Sequence, residues 1–217
     1  GMTVWHSGSG KNGSANSKGY IGFEICEDGL TDATYFNAVY KEAVELCAML
    51  CKTYGITKCK KVIRGGEDRE HSVLLAALEA EPDTELLAVQ DGARPLVSPA
   101  LIDRVIEAAQ RCGAAAPAIP VKDTIKTVRE DGAVEETLER SRLRAVQTPQ
   151  VFEASLLKAA LQAALEEGAV LTDDCSAVER LGKVVYLIEG EETNLKITTP
   201  TDLILAEALL AAEEDAR

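Results

Sequence analysis

The stretch Glu85–Val97, "ELLAVQDGARPLV", decides how this chain folds. Its apolar run from Leu86 to Val89 reads as a strand covered on both faces, since no alternating polar position leaves one face to water. The strand ends on an acid, Asp91. Gly92-Ala93-Arg94-Pro95 then turns the chain, and a helix is predicted from about Pro99 to Arg111. Strand, polar turn and helix in succession form the repeating unit of an α/β protein, in which ligands sit beyond the carboxyl ends of the strands.

The same alternation continues in both directions. "KKVIRGG" reads as a strand running into a Gly pair, and "HSVLLAALEA" as the helix after it. Downstream come a strand "AAAPAIPV", a polar arm from about Asp123 to Gln147, helices from Glu153 and Asp173, a strand "KVVYLIEG" and a closing helix from Pro200. The expected fold is α/β, a Rossmann-like and mostly parallel sheet with helices on both faces. Three polar clusters fall where such a sheet opens its crevice: Gly65-Gly66-Glu67-Asp68-Arg69, Asp91 to Pro95, and Lys122-Asp123-Thr124-Ile125-Lys126. Any one of them is an ordinary turn or cap; three together point to a site.

The 217 residues, 46% hydrophobic and 27% charged, suffice for a sizeable core. The formal net charge is -13, and no Lys/Arg run supplies a basic patch, so neither nucleic acid nor an anionic membrane is an expected partner. Small anionic ligands are compatible with this charge, because they need only a few aimed cations. No apolar stretch has the length of a membrane span and no basic-then-apolar leader opens the sequence, which makes the cytoplasm the expected location. The six cysteines (Cys26, Cys47, Cys51, Cys59, Cys112, Cys175) lack metal-ligand spacing and read as small buried hydrophobes.

Two sequence styles meet near Gly55. Seven of the nine aromatics (Trp5, Tyr20, Phe23, Tyr35, Phe36, Tyr40, Tyr54) precede residue 56, whereas every proline follows residue 81. In the first segment "TVW" and "YIGFEICE" read as strands, followed after Thr31 by a helix with Phe36, Val39, Tyr40, Ala43, Leu46, Cys47 and Leu50 along one face. Such a ββα unit can complete or cover an exposed edge and face of the remainder, so segments 1–55 and 56–217 are expected to form one compact domain.

Within 56–217, "GGEDREHSV", "QDGARPLV", "PVKDTIK", "TLERSRL", "QTPQVF", "LTDDCSAVE" and "NLKITTPTDLILAE" occur in that order. Together they closely resemble the 2-C-methyl-D-erythritol 4-phosphate cytidylyltransferase family, several of whose motifs ribitol-phosphate cytidylyltransferases share. The resemblance implies attack of a polyol-phosphate oxygen on the α-phosphate of CTP, with Mg²⁺ as cofactor, giving a CDP-alcohol and pyrophosphate. Carried over motif by motif, it implies that Gly66, Glu67, Ser72 and Gly92 lie at the nucleotide and that Asp91 holds Mg²⁺. Asp91, Arg94 and Lys196 then form the catalytic group, with Arg94 at the polyol phosphate and Thr124, Thr148, Thr172 and Lys196 around that substrate. Arg140 lies on the arm, about 123–147, that in the family reaches across a homodimer into the partner's site; its alternative is a solvated arm charge.

The family often carries His-Asp-Ala-Ala-Arg where this chain has Gln90-Asp91-Gly92-Ala93-Arg94. The family's Gly-rich CTP loop, Ala-Ala-Gly-x-Gly-x-Arg-Met with a following Pro-Lys-Gln, does not occur in the sequence, which implies a weakened hold on CTP and weak or lost activity. The Gly-rich "VWHSGSGKNGSANSKG" does not replace it, because Gly10-Lys11 is followed by Asn12 rather than Ser or Thr. Instead, about residues 1–55 resemble an internal fragment of zinc-dependent N-acetylmuramoyl-L-alanine amidases, so that the whole reads as a chimera. Glu24 matches the glutamate those enzymes place near the zinc-bound water, while His6 matches a histidine that is not a metal ligand. With His6 and His71 the only histidines, no zinc and no amidase activity are expected. The competing expectation is a catalytically silent chimeric fold.

Overall fold

The computed structural model describes residues 2–6, 19–24, 61–63, 65–66 and 68–215. The helix predicted through Phe36 and Leu50, most of the Gly-rich stretch, Glu67, and Cys26, Cys47, Cys51 and Cys59 lie outside the described residues. In chain order the elements are β1 (Met2–His6), β2 (Gly19–Glu24), β3 (Lys61–Ile63), α1 (Arg69–Leu78), β4 (Leu86–Asp91), α2 (Pro99–Cys112), β5 (Ala114–Pro120), β6 (Lys126–Val128) and β7 (Val134–Thr137). A 3₁₀ turn (Arg140–Arg142), β8 (Arg144–Val146), β9 (Gln150–Glu153), α3 (Ala154–Glu166), α4 (Asp174–Arg180), β10 (Tyr186–Glu189) and α5 (Pro200–Asp215) follow.

The main sheet has the order β10-β5-β9-β4-β2-β1-β3, with β8 also on β5, while β6 and β7 pair with each other on the arm. The α/β class and the two helical layers are as the alternation predicts. The sheet itself is mixed rather than mostly parallel. β10 is parallel to β5 and β2 is parallel to β4, but β9 lies antiparallel between β4 and β5, and β1 is antiparallel to both its neighbours. The reason lies in the arm. It leaves at the end of β5 and, with no crossover helix in it, returns as β8 antiparallel along the same strand; β9 continues in that direction. Its first residue therefore meets the end of β4, Gln150 opposite Val89. The first segment supplies β2 beside β4, in register from Gly19↔Leu86 to Glu24↔Asp91, and β1 bridges to β3.

Alternation along the central strands divides the core between two faces. Leu87, Val89, Ala114, Ala116 and Phe152 point to the layer of α1, α3 and α4; Ala88, Ala115 and Val151 point to α2. α2 presents Leu101, Ile102, Val105, Ala108 and Ala109 at helical spacing, starts at the Ser98 cap, whose Oγ accepts from Leu101 N at 3.0 Å, and carries Pro99 at its first position. α1 is capped by Asp68 and α4 by Asp173, which forms a capping box with Ser176. At the start of α5, Thr198 N and Thr199 N donate to Asp202 Oδ2 at 2.9 and 2.8 Å, and these hydrogen bonds hold its carboxyl below the usual range. Cys175 is buried, and burial pushes its thiol up, so this cysteine behaves as the small hydrophobe expected. Among the described residues no helix is long and apolar enough to cross a membrane.

Phe152 is fully buried where β9 meets the α1–α3–α4 layer. Phe152→Ala is expected to destabilise the chain by about 3–5 kcal/mol in urea denaturation. A loss under about 1 kcal/mol would show that this layer is not the principal core.

Candidate active site

β4 delivers Asp91 to the carboxyl end of the sheet, where the residue is only 7% exposed. Two cations compensate it. Its Oδ2 receives Lys196 Nζ at 3.1 Å and Arg94 Nε at 3.3 Å. The tight turn Asp91–Arg94, closed by Arg94 N donating to Asp91 O at 3.1 Å, brings Arg94 back over the carboxylate. Lys196 arrives from the segment before α5, which Ile197 N ties to Ala93 O at 2.8 Å. Burial pulls the Arg94 guanidinium below its ordinary value and the adjacent Asp91 pulls it back; an arginine stays charged under such opposition. The Lys196 side chain is 40% exposed, and the cluster holds one more cation than anion.

Uncharged groups fix the Asp91 backbone from behind. Asp91 N donates to Thr148 Oγ1 at 3.0 Å, and that hydroxyl donates to Gln90 Oε1 at 2.9 Å. Gln90 Nε2 then donates to Arg94 O at 3.1 Å, closing a loop through the turn. Gln90, standing where the resembled family often has histidine, thus supplies an acceptor and a donor at once. Arg94 Nη1 donates to Asn194 O at 2.7 Å, and Asn194 Nδ2 donates to Thr148 O at 2.8 Å. Gln147, Thr148 and Asn194 are all buried.

A second network lies at the neighbouring helix N-termini. Arg69 Nη1 and Nη2 hold both oxygens of Asp174 at 2.9 and 2.7 Å. Asp174 is fully buried; burial pushes its carboxyl up and Arg69 pulls it back down. Gln150 Oε1 accepts from Asp174 N and Cys175 N, both at 3.1 Å, while its Nε2 donates to Asp173 Oδ2 at 2.9 Å. Gly66 N donates to Ser72 Oγ at 3.0 Å, and a Cβ on Gly66 would come within 2.4 Å of the His71 ring, so only glycine fits this approach of loop to helix.

The structure therefore joins Asp91, Arg94, Lys196 and Thr148 in one cluster and pairs Gly66 with Ser72. Gly92 is half-buried in the turn beside Asp91. Thr124, Arg140 and Thr172 are exposed and make no hydrogen bond to that cluster among the described residues; Arg140 Nη1 donates to Lys122 O at 2.9 Å. Glu67 lies outside the described residues. Gln90, Gln147, Gln150 and Asn194 carry no role in the sequence reading, although the paired glutamines of "QTPQ" around Thr148-Pro149 were the available signal. Among the described residues no three His, Cys, Asp or Glu side chains gather as a metal cage. Asp91 alone still suits Mg²⁺, which takes one or two carboxylates and completes its shell with water and substrate phosphates.

The family model described as IspD, 2-C-methyl-D-erythritol 4-phosphate cytidylyltransferase, matches residues 38–212. The chain belongs to this family. The match begins upstream of the change in composition near Gly55. Curated cytidylyltransferases of this name from Desulforamulus reducens and Caldanaerobacter subterraneus are each 49% identical, over 70% and 86% of this chain and 65% and 74% of their own length. The crystal structure of 2-C-methyl-D-erythritol 4-phosphate cytidylyltransferase from Thermus thermophilus superposes with a TM-score of 0.67 at 37% identity, covering 78% of this chain and 89% of that one. As a cytidylyltransferase-family chain, the protein carries the family's fold with a mixed sheet.

The Arg69–Asp174 pair yields a stability prediction. Arg69→Met strands a fully buried carboxylate and is expected to cost about 3–5 kcal/mol in chemical denaturation. A change within about 0.5 kcal/mol would mean that the pair is dispensable.

Proposed function

We propose that the chain binds 2-C-methyl-D-erythritol 4-phosphate at the Asp91–Arg94–Lys196 cluster and transfers a cytidylyl group to it from CTP at a low rate. The observation that carries this reading is the convergence of two cations, one of them on a partly exposed side chain, on one buried carboxylate at the end of β4. A polyol phosphate oxygen would be drawn to Lys196 and Arg94, and its negative charge would replace part of what Asp91 now supplies to them. Mg²⁺, held by Asp91 and substrate phosphates, would neutralise charge on the transferring group. The chain's own contribution is positioning and charge, since no covalent enzyme intermediate is required. Thr124 and Thr172 would contact the polyol from exposed positions, and Gly66, Glu67, Ser72 and Gly92 would face the cytidine. Arg140 would reach a partner's site in a homodimer formed through the arm.

The low rate follows from the sequence, in which the family's Gly-rich loop and its Arg and Lys do not occur. In the same reading, about residues 1–55 are an amidase-like segment, although the family match already begins at residue 38, and they serve the sheet rather than catalysis. CTP affinity should be reduced far more than polyol-phosphate affinity, because each lost charge-assisted hydrogen bond is worth about 1.5–3 kcal/mol. A silent fold remains the second reading, and the same missing loop favours it.

Calorimetric titration with each substrate, followed by pyrophosphate release with Mg²⁺, separates the two. The expected outcome is measurable polyol-phosphate binding with slow, Mg²⁺-dependent release that Asp91→Asn abolishes. Binding of CTP without polyol phosphate, or full activity of Asp91→Asn, refutes the assignment.

A further inference from the structure

Gln147 sits in the short link between β8 and β9, and its backbone N–H donates to Pro117 O at 2.8 Å, which anchors it to β5. Its side chain is spent on a single turn, residues 191–194. Nε2 donates to Glu191 O at 2.8 Å and to Asn194 O at 3.3 Å, and Oε1 accepts from Glu191 N at 3.2 Å, with Asn194 Nδ2 at 3.5 Å. The approach is close. A Cβ on Gly190 would lie 2.5 Å from Gln147 Oε1 and 3.1 Å from the Ala118 backbone, so a side chain there would press on this amide as the turn seats. Gly190 N also donates to Ala118 O at 2.9 Å.

The seated turn governs both cations of the candidate site. Its last residue, Asn194, receives Arg94 Nη1 on the carbonyl that Gln147 also engages, and Lys196 follows two residues later with its ammonium on Asp91. Asn194 is fully buried and turns its Nδ2 to Thr148 O, which leaves its Oδ1 buried without a hydrogen-bond partner among the described residues.

We infer that Gln147 is a positioning residue: its carboxamide fixes the Glu191–Asn194 turn and thereby sets the placement of Arg94 and Lys196 around Asp91. Lys122, which pairs with Glu192, is exposed, and Arg104 reaches the Glu191 side chain from an exposed position; neither engages the turn's backbone, as Gln147 does. The consequence for substrate rests on the proposed polyol-phosphate site, while the consequence for Lys196 does not.

Gln147→Met keeps the length of the side chain and removes all four polar contacts; Gln147→Glu keeps an acceptor and removes both donations. Pulse acetylation with acetic anhydride, read by mass spectrometry against Lys183 as internal reference, reports Lys196 directly. Titration with 2-C-methyl-D-erythritol 4-phosphate and, separately, CTP reports the site. In a variant that melts cooperatively, Lys196 is expected to acetylate at least about fivefold faster relative to Lys183, since its ion pair is released. Polyol-phosphate affinity is expected to fall about tenfold with CTP affinity unchanged.

An unchanged Lys196 rate in a folded variant overturns the inference, as does an equal loss of both affinities. Failure of both variants to fold also overturns it, because the amide then serves the whole structure rather than the turn. If the unmodified chain binds no polyol phosphate, the proposed function fails and the acetylation ratio still decides the role of Gln147.

Discussion

A carboxylate almost out of reach of water must be compensated where it stands, and Asp91 imposes that constraint on everything around it. Its compensation comes from segments far apart in the chain, Arg94 from the turn that follows and Lys196 from the approach to α5, while Thr148, from the link before β9, accepts from the Asp91 backbone N–H. The sheet order makes this possible. Because β9 runs antiparallel to β4, its beginning meets the end of β4, and the residues just before it fall beside Asp91. A parallel strand in the same place would carry Thr148 to the opposite edge of the sheet. The departure from a parallel sheet is thus the feature that assembles the site.

Carboxamides do much of the assembling. Gln90, Gln147, Gln150 and Asn194 are all buried, and each of the three glutamines spends both its donor and its acceptor on backbone or side-chain partners. An amide closes such a network without adding charge, which leaves the local electrostatics to Asp91, Arg94 and Lys196 at one place and to Arg69, Asp173 and Asp174 at the other. In a chain with a net charge of -13, the cluster concentrates two cations on one carboxylate.

Much of this was legible in the sequence because local rules and tertiary structure agree. The apolar run of β4, the Ser98-Pro99 start of α2 and the Asp173 start of α4 appear where patterning and caps place them. Asp91, Arg94 and Lys196 were legible through the family motifs, and their convergence follows. β9 was not, because Gln150–Glu153 is too short a run to stand out between the polar arm and the helix expected from Glu153. Nor were Gln147 and Asn194: a polar residue in a link looks solvent-exposed until the backbone it serves is in view. Arg140 and Thr124 stand apart from the cluster on the arm, whose β6 and β7 pair with each other rather than with the main sheet.

The most direct test of the Asp91–Arg94–Lys196 cluster as a phosphate site is a ³¹P NMR titration of 2-C-methyl-D-erythritol 4-phosphate with the chain, without CTP. The account predicts a saturable shift of the phosphate resonance that Lys196→Met strongly reduces while the melting transition is retained. An unshifted resonance at millimolar concentrations, or an identical shift with Lys196→Met, would contradict it.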